Sequence, residues 1–275
     1  MKSTLFLILA LLPAFAFAGT YRETRTLDIP AAGLNRLNIQ CGAGSLTVRG
    51  VEGADHIKVT AMIESEGADS GEFRLLVNKL IQLDLKRVYD DARLVSRAGI
   101  PPLTNIETRI HLTVQLPANL NVRIIDGSGD VEVSNIIGNL FIDDDSGAIN
   151  ATNITGRVLI KDGSGAIAIM NVQGRLDIID GSGKINVQHV TGDVTIIDAS
   201  GGIEVNDIGG SVTVSDGSGS IDIYRVAKNV FIREPGSGKI EVDGVQGKVT
   251  IREYEEKSEP RMSKERQSAE LSIED

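Results

Sequence analysis

Ser182-Gly-Lys-Ile185-Asn-Val187-Gln-His-Val190-Thr-Gly192-Asp-Val194-Thr-Ile196-Ile-Asp198-Ala199 is one statement of a phrase that the chain makes seven times between Asp126 and Ile251. The copies open at Ser128, Ser146, Ser164, Ser182, Ser200, Ser218 and Ser237; the step is 18 residues until the last, which is 19 because Pro235 lengthens its turn. A strict period of this length marks a solenoid, in which one repeat cannot bury its apolar face alone and stacked repeats share a continuous core. The i, i+2 spacing of Ile185/Val187 and of Val194/Ile196 is that of strands with one buried face, and the inward slots are mostly β-branched. Gly192, with Gly174 and Gly156 in the same slot of earlier copies, reads as a bend with positive φ. Asp180-Gly181-Ser182-Gly183 supplies the second bend.

Two short strands and two bends in each copy set like residues above like. One column runs Val131, Ile149, Ile167, Ile185, Ile203, Ile221 and Ile240; another runs Ile142, Ile160, Ile178, Ile196, Val214, Ile232 and Ile251. Such ladders belong to an all-β parallel β-helix with a rise of about 4.8 Å per coil. Roughly 35 aliphatic side chains fill the slots, each contributing about 1.5–3 kcal/mol on burial. The period is not the six residues of left-handed hexapeptide helices, so a right-handed form of about eight coils is expected.

Outward from this core the chain is less regular. Residues 1–18 carry Lys2, an apolar run and an Ala16-Phe17-Ala18 ending, the pattern of a secretory signal peptide cleaved after Ala18, which implies a periplasmic or secreted protein. No cysteine follows that site, and the rest of the chain has no apolar run long enough for a membrane-spanning helix. Residues 19–30 read as an edge strand or a cap over the open end of the helix. Leu37-x-Ile39-x-Cys41 followed by Leu46, Val48 and Val51 is a degenerate first coil, with Cys41 in the aspartate slot and Ile57-x-Val59 expected to complete it. Residues 62–110 then form an insertion: a short helix from Phe73 to Ile81, a strand through Leu83 and Leu85, a turn at Tyr89–Asp91 and a return strand over Arg93–Ser96. The chain rejoins the solenoid through Leu112, Val114 and Val122. Residues 253–275 are a charged tail, read as disordered.

This layout resembles the adhesin-type, head-GIN-like β-strand-repeat family of bacterial envelope proteins. The resemblance rests on Gly42–Gly50 (G-A-G-S-L-T-V-R-G), Ile110–Val122 (I-H-L-T-V-Q-L-P-A-N-L-N-V) and the G-S-G-x-I-x-V repeats. It implies a β-helix with a surface, scaffolding or envelope-stress role and brings no catalytic residues.

Composition narrows the partners. The 275 residues hold 38 acidic against 28 basic side chains, a net charge of −10, which disfavours nucleic acid and anionic membrane surfaces. Cys41 is the single cysteine, so no intramolecular disulfide exists; it reads as an inert buried thiol, the alternative being a reactive one. The aspartates Asp126, Asp144, Asp162, Asp180, Asp198 and Asp216 share one column, where neighbouring charges repel. Either each accepts N–H bonds from its own turn, or calcium ions bridge the coils. Asp143-Asp144-Asp145 is the densest acidic cluster, but consecutive strand residues face opposite ways, which argues against a glycosidase pair. His56, His111 and His189 stand beside no evident nucleophile, and a serine copied in every coil is not a unique one.

One strand face departs from a plain rod. Ile125, Phe141, Leu159, Ile179, Ile197 and Phe231 occupy outward slots that should be polar. The insertion is expected to cover them through Leu75, Leu76, Leu80, Leu83 and Leu85; the rival is an interaction surface. The sequence thus reads as a non-catalytic module without cofactors, meeting an envelope or surface protein, or a glycan, with a polysaccharide-active enzyme or a calcium-stabilised glycan binder as the alternatives.

Overall fold

The computed structural model describes residues 20–67, 70–99 and 106–252. The segment expected to be a signal peptide, residues 1–18, and the charged residues 253–275 lie outside them. In chain order the elements are β1 (Thr20–Pro30), β2 (Arg36–Gln40), β3 (Leu46–Val51), β4 (His56–Glu66), α1 (Ser70–Lys79), β5 (Ile81–Val88), β6 (Asp91–Ala98), β7 (Glu107–Pro117), β8 (Asn121–Asp126) and β9 (Val131–Ile137). The repeats follow as β10 (Leu140–Asp144), β11 (Ile149–Thr155), β12 (Val158–Asp162), β13 (Ile167–Gln173), β14 (Leu176–Asp180), β15 (Gly183–Val190), β16 (Val194–Asp198), β17 (Gly201–Ile208) and β18 (Val212–Asp216). The last two coils supply β19 (Ile221–Val226), β20 (Val230–Pro235), β21 (Ile240–Val245) and β22 (Val249–Ile251).

These strands form two eleven-stranded sheets. Sheet A takes the order β1-β4-β7-β3-β9-β11-β13-β15-β17-β19-β21, and sheet B the order β22-β20-β18-β16-β14-β12-β10-β8-β2-β6-β5. The repeats pair parallel and in register, Ile167 on Ile149 and Ile185 in sheet A, Ile178 on Ile160 and Ile196 in sheet B. About seven turns of 18 residues result, an all-β parallel solenoid. The inward residues of both sheets form one core; Ile149, Ile160, Ile185, Val187, Ile196 and Val214 have no exposed surface.

The turn column is the tightest part of the stack. Gly147, Gly165, Gly183 and Gly201 donate their N–H to the carbonyls of Ser164, Ser182, Ser200 and Ser218 one coil on, so the serine turns stand in single file. Gly183 has φ +144°, and a Cβ there would lie 1.6 Å from the Gly165 carbonyl oxygen. Only glycine fits such an approach. The other bend is more varied: Gly156 and Gly174 have positive φ, whereas Gly192 falls outside the left-handed range and is needed because a Cβ would lie 2.3 Å from Gly174 O.

The N-terminal third corrects the sequence reading in two ways. Ile57 and Val59 do not complete the first coil. A turn at Val51–Ala54, with Gly53 at φ +73°, reverses the chain, and β4 joins sheet A antiparallel between β1 and β7. The layer of β2 and β3 is instead sandwiched: β3 pairs with both β7 and β9, and β2 with both β6 and β8. The link from β7 to β8 fills the bend that β3 vacates, Ala118 N–H bonding Val51 O and Ile137 N–H bonding Ala118 O.

The insertion likewise does not cover the outward apolar residues. Its strands pair as a hairpin whose β6 extends sheet B beside β2, because an exposed sheet edge offers unpaired backbone groups that a strand satisfies. Its helix buries Phe73, Leu76 and Val77 with the core, Phe73 stacks on Tyr21 at 5.5 Å, and Leu85 is buried while Leu75 is exposed. The first end of the rod is thereby closed, with β1 as the edge strand of sheet A.

The stacking makes a paired expectation. Gly183→Ala should destabilise the fold by about 3 kcal/mol or more in urea unfolding, since the clash is with backbone. Gly202→Ala in the same turn region should change it by less than about 1 kcal/mol, as its Cβ would meet only Ser220 Oγ at 3.6 Å.

Candidate interaction surface

Alternation along each sheet B strand sends two columns of side chains outward. One runs Arg123, Phe141, Leu159, Asp177, Thr195, Thr213 and Phe231; the other runs Ile125, Asp143, Lys161, Ile179, Ile197 and Ser215. The apolar candidates therefore do not form one stripe. Phe141 neighbours Leu159, Ile179 neighbours Ile197, and Ile125 and Phe231 stand singly. Ile179 and Ile197 are 42% and 49% exposed, the other four half-buried. Arg123 lies over the Phe141 ring at 4.9 Å, and Arg233 and Arg252 approach Phe231 at 5.5 and 5.6 Å. These guanidinium groups shelter part of the aromatic surface while keeping their charge in water.

Asp177 interrupts the first column beside the isoleucine pair. It is paired with Arg175 at 2.7 Å and Arg157 at 2.9 Å. Burial pushes its carboxyl up, but the hydrogen bonds and charges of Arg175 and Arg157 outweigh that and hold it below the usual carboxylate range. The result is an exposed aliphatic pair with a fixed, charge-paired border on a flat sheet.

The aspartate column lies elsewhere than the surface. In Val-x-Ile-x-Asp the acid shares the inward side with the valine and isoleucine, and Asp126, Asp144, Asp162, Asp180, Asp198 and Asp216 are all buried. Five accept the N–H of the serine two residues on through Oδ1, from 3.4 Å at Asp144 to 3.0 Å at Asp216, and Asp126 accepts from Gly127 at 2.9 Å. This is the self-bonded turn, one of the two arrangements that the sequence left open. Oδ2 of each is buried without a hydrogen-bond partner. Among the described residues no group of three His, Cys, Asp or Glu side chains is placed to hold a metal ion.

Cys41 occupies the end of this column, half-buried, with Asp126 beside it. Burial first, and then the Asp126 charge, push its thiol pKa up, the direction that disfavours a reactive thiolate. Of the acidic triplet, Asp143 faces outward, Asp144 inward and Asp145 lies in the turn, so no two face one groove.

Two features were missed in the sequence. Pairing of β3 with β7 brings Ser45 Oγ to 2.9 Å from His111 Nδ1, across 66 residues of chain. The same nitrogen faces the Ser45 backbone N–H at 3.1 Å, so its lone pair is already engaged. The second feature is a bulge inside the sheet A strands, where Asn135, Asn153, Asn171, His189, Asp207 and Arg225 all take φ between +52° and +61°. Asn153 Nδ2 donates to Asn135 Oδ1 and Asn171 Nδ2 to Asn153 Oδ1, and His189 bonds Asp207 at 2.6 Å. Asparagine tolerates this conformation best, and its recurrence at period 18 was a readable signal. Open depressions follow this bend, one of about 620 Å³ lined by residues including Gln115, Asn135 and Asn153. His56 pairs with Asp55 and Asp28.

The buried carboxyls have a pH consequence. Burial and the neighbouring charges raise Asp144 to about 7, and burial raises Asp126, Asp180 and Asp216 to about 6. The folded state thus binds protons more tightly than the unfolded chain, where such groups titrate near 3.9. The stabilisation is complete below about pH 4 and is lost as pH rises through about 6 to 7. Asp144→Asn should raise stability at pH 8 by about 1–3 kcal/mol and flatten the fall between pH 5 and pH 8, measured by denaturant unfolding across pH.

No curated protein matches the chain. Among solved structures it is similar to a "putative adhesin" from Bacteroides fragilis, at 13% identity and a TM-score of 0.42 over 84% of this chain and 97% of that one. It is also similar to a "putative lipid binding protein" from Parabacteroides distasonis, at 14% identity and a TM-score of 0.42 over 83% and 95%. A third likeness is to a "putative cell adhesion protein" from Clostridium sporogenes, at 15% identity and a TM-score of 0.33 over 83% and 100%. Likeness of this degree carries no ligand or role across. A family model, in contrast, matches residues 34–274, from β2 through every repeat, and the chain belongs to the Toastrack DUF4097 family.

Proposed function

We propose that the protein is a non-catalytic, extracytoplasmic module that presents a flat sheet face to a protein of the bacterial envelope. The observation that carries this reading is the Ile179/Ile197 pair, exposed at the middle of sheet B with Asp177 and its arginines beside it. An apolar centre with a polar rim on a rigid backbone is the layout of a protein interface. The leader-like residues 1–18 support an address outside the cytoplasm, and the acidic charge favours neither nucleic acid nor anionic lipid. Against catalysis stands the division of the acidic triplet between opposite faces of sheet B.

Glycan binding is the second reading, supported by the amide-lined depressions along the bend of sheet A. Its groups are hydrogen-bonding ones, but aromatic residues are scarce.

Fluorescently labelled protein should bind isolated Gram-negative envelopes, and Ile179→Lys/Ile197→Lys should weaken that binding about tenfold or more. Its melting temperature should stay near that of the parent, because both side chains face water, and Met170→Lys on the opposite sheet should bind as the parent does. Full binding by the double variant would overturn the proposal. Loss of binding on adding free polysaccharide, with the double variant unaffected, would establish the glycan reading. Turnover on a polysaccharide panel would establish an enzyme.

A further inference from the structure

Tyr89 stands where a hairpin favours glycine. Val88 pairs with Asp91, so the loop between β5 and β6 is the two residues Tyr89 and Asp90. In the favoured two-residue hairpin turns the first loop residue takes a positive φ, a slot that glycine, asparagine and aspartate fill. Tyr89 takes φ +56° there and is 91% exposed. A bulky residue in this conformation is strained, and its ring gains nothing by burial. The turn is held in place from outside. Arg87 donates through Nε to the Tyr89 carbonyl at 2.8 Å, and through Nη1 and Nη2 to the carbonyls of Ala32 and Gly33 at 2.7 and 3.0 Å. The Asn35 N–H bonds the Asp90 carbonyl at 2.7 Å. The ring is therefore presented on a fixed support.

Beside it lies a depression of about 490 Å³, lined by Tyr89, Asn38, Gln40, Arg93 and Arg123 together with the turn acids. Pairing of β6 with β2 and of β2 with β8 sets Arg93, Asn38 and Arg123 in one outward row of sheet B. Asp91 is answered by the Asn38 amide at 3.1 Å and by Arg36 at 3.9 Å, and Asp90 is exposed to screening water. Arg93 donates to the Gln40 amide oxygen at 3.0 Å, and Arg123 lies over the Phe141 ring at 4.9 Å. Among the described residues neither guanidinium has a carboxylate partner, on a chain with 38 acidic and 28 basic side chains. Their planar forks match an oxyanion supplied from outside.

We propose that this depression binds a sugar unit bearing a carboxylate, a uronic acid of an acidic polysaccharide. The ring face of the sugar lies on Tyr89, whose flat apolar body and polar tip suit such a surface. The carboxylate sits between Arg93 and Arg123, and the Asn38 and Gln40 amides serve the hydroxyls. An inorganic anion would use the guanidinium groups but has no use for the ring, so the strained tyrosine is what points to a sugar. The site is separate from the Ile179/Ile197 face and stands whichever partner that face takes.

Calorimetric titration of the full chain with tetragalacturonate and with tetramannuronate tests this. At least one should bind, and its methyl ester, which lacks the charge, should bind about tenfold more weakly or worse. Arg93→Gln and Arg123→Gln should each weaken binding about tenfold, and Tyr89→Ala by a similar factor. Tyr89→Gly separates the ring's role from the turn's. It should abolish most of the binding while the melting temperature holds or rises, because glycine suits the turn. A melting temperature several degrees lower would make the ring a structural part of the hairpin and overturn the proposal. Absence of binding to both tetramers would overturn it as well. So would displacement by equimolar inorganic phosphate with Tyr89→Ala binding as tightly as the parent, which would leave an anion site alone.

Discussion

The close approach of backbone to backbone in the Asp-Gly-Ser-Gly turn governs this molecule. Each glycine Cα sits against the carbonyl of the glycine one coil before it, leaving no room for a side chain, and the serine carbonyl one coil on takes its N–H. That contact fixes the coil spacing and hence the in-register columns of valine and isoleucine. It also forces the aspartate that precedes the turn onto the inward side. The carboxylates are consequently held in a column whose charge the fold disfavours, each spending one oxygen on its turn and burying the other. Turn geometry has been kept here at an electrostatic cost.

Where one coil is copied onto the next, the sequence was nearly sufficient. The period, the two strands, the bends and the like-on-like columns all follow from spacing that recurs in every copy. Legibility failed where the cause was not periodic. Ile57 and Val59 carry the repeat's alternation, yet a turn made possible by Gly53 sends them antiparallel into sheet A. Alternation encodes which residues face inward, but not the direction or neighbour of a strand. Of the insertion's leucines, Leu76 and Leu85 are buried but against the core end and sheet edge, Leu80 and Leu83 are partly buried, and Leu75 is exposed, because an unpaired sheet edge and an open core end outcompeted the outward apolar positions for them.

The candidate surface shows the same limit at finer scale. Six apolar outward residues were visible in the sequence, but their arrangement depended on which of two outward columns each occupied. Residue parity within a strand assigns Phe141 and Leu159 to one column and Ile179 and Ile197 to the other, so that a presumed stripe is two separate pairs. The Ser45–His111 contact lay beyond sequence reasoning altogether, since it depends on the unexpected pairing of β3 with β7. The asparagine bulge column was legible and overlooked.

The sandwiched layer of β2 and β3 bears on how the protein reaches its native state. Leu46 finds its partners Leu112 and Val131, 66 and 85 positions further on, only after the intervening chain has been made, whereas each later coil needs little more than its predecessor. The chain therefore cannot condense in the order it is synthesised. Its earliest strands must wait as an unsatisfied segment and be locked in by later arrivals, as a keystone is, so assembly should be slow at this end and dismantling should have to begin elsewhere.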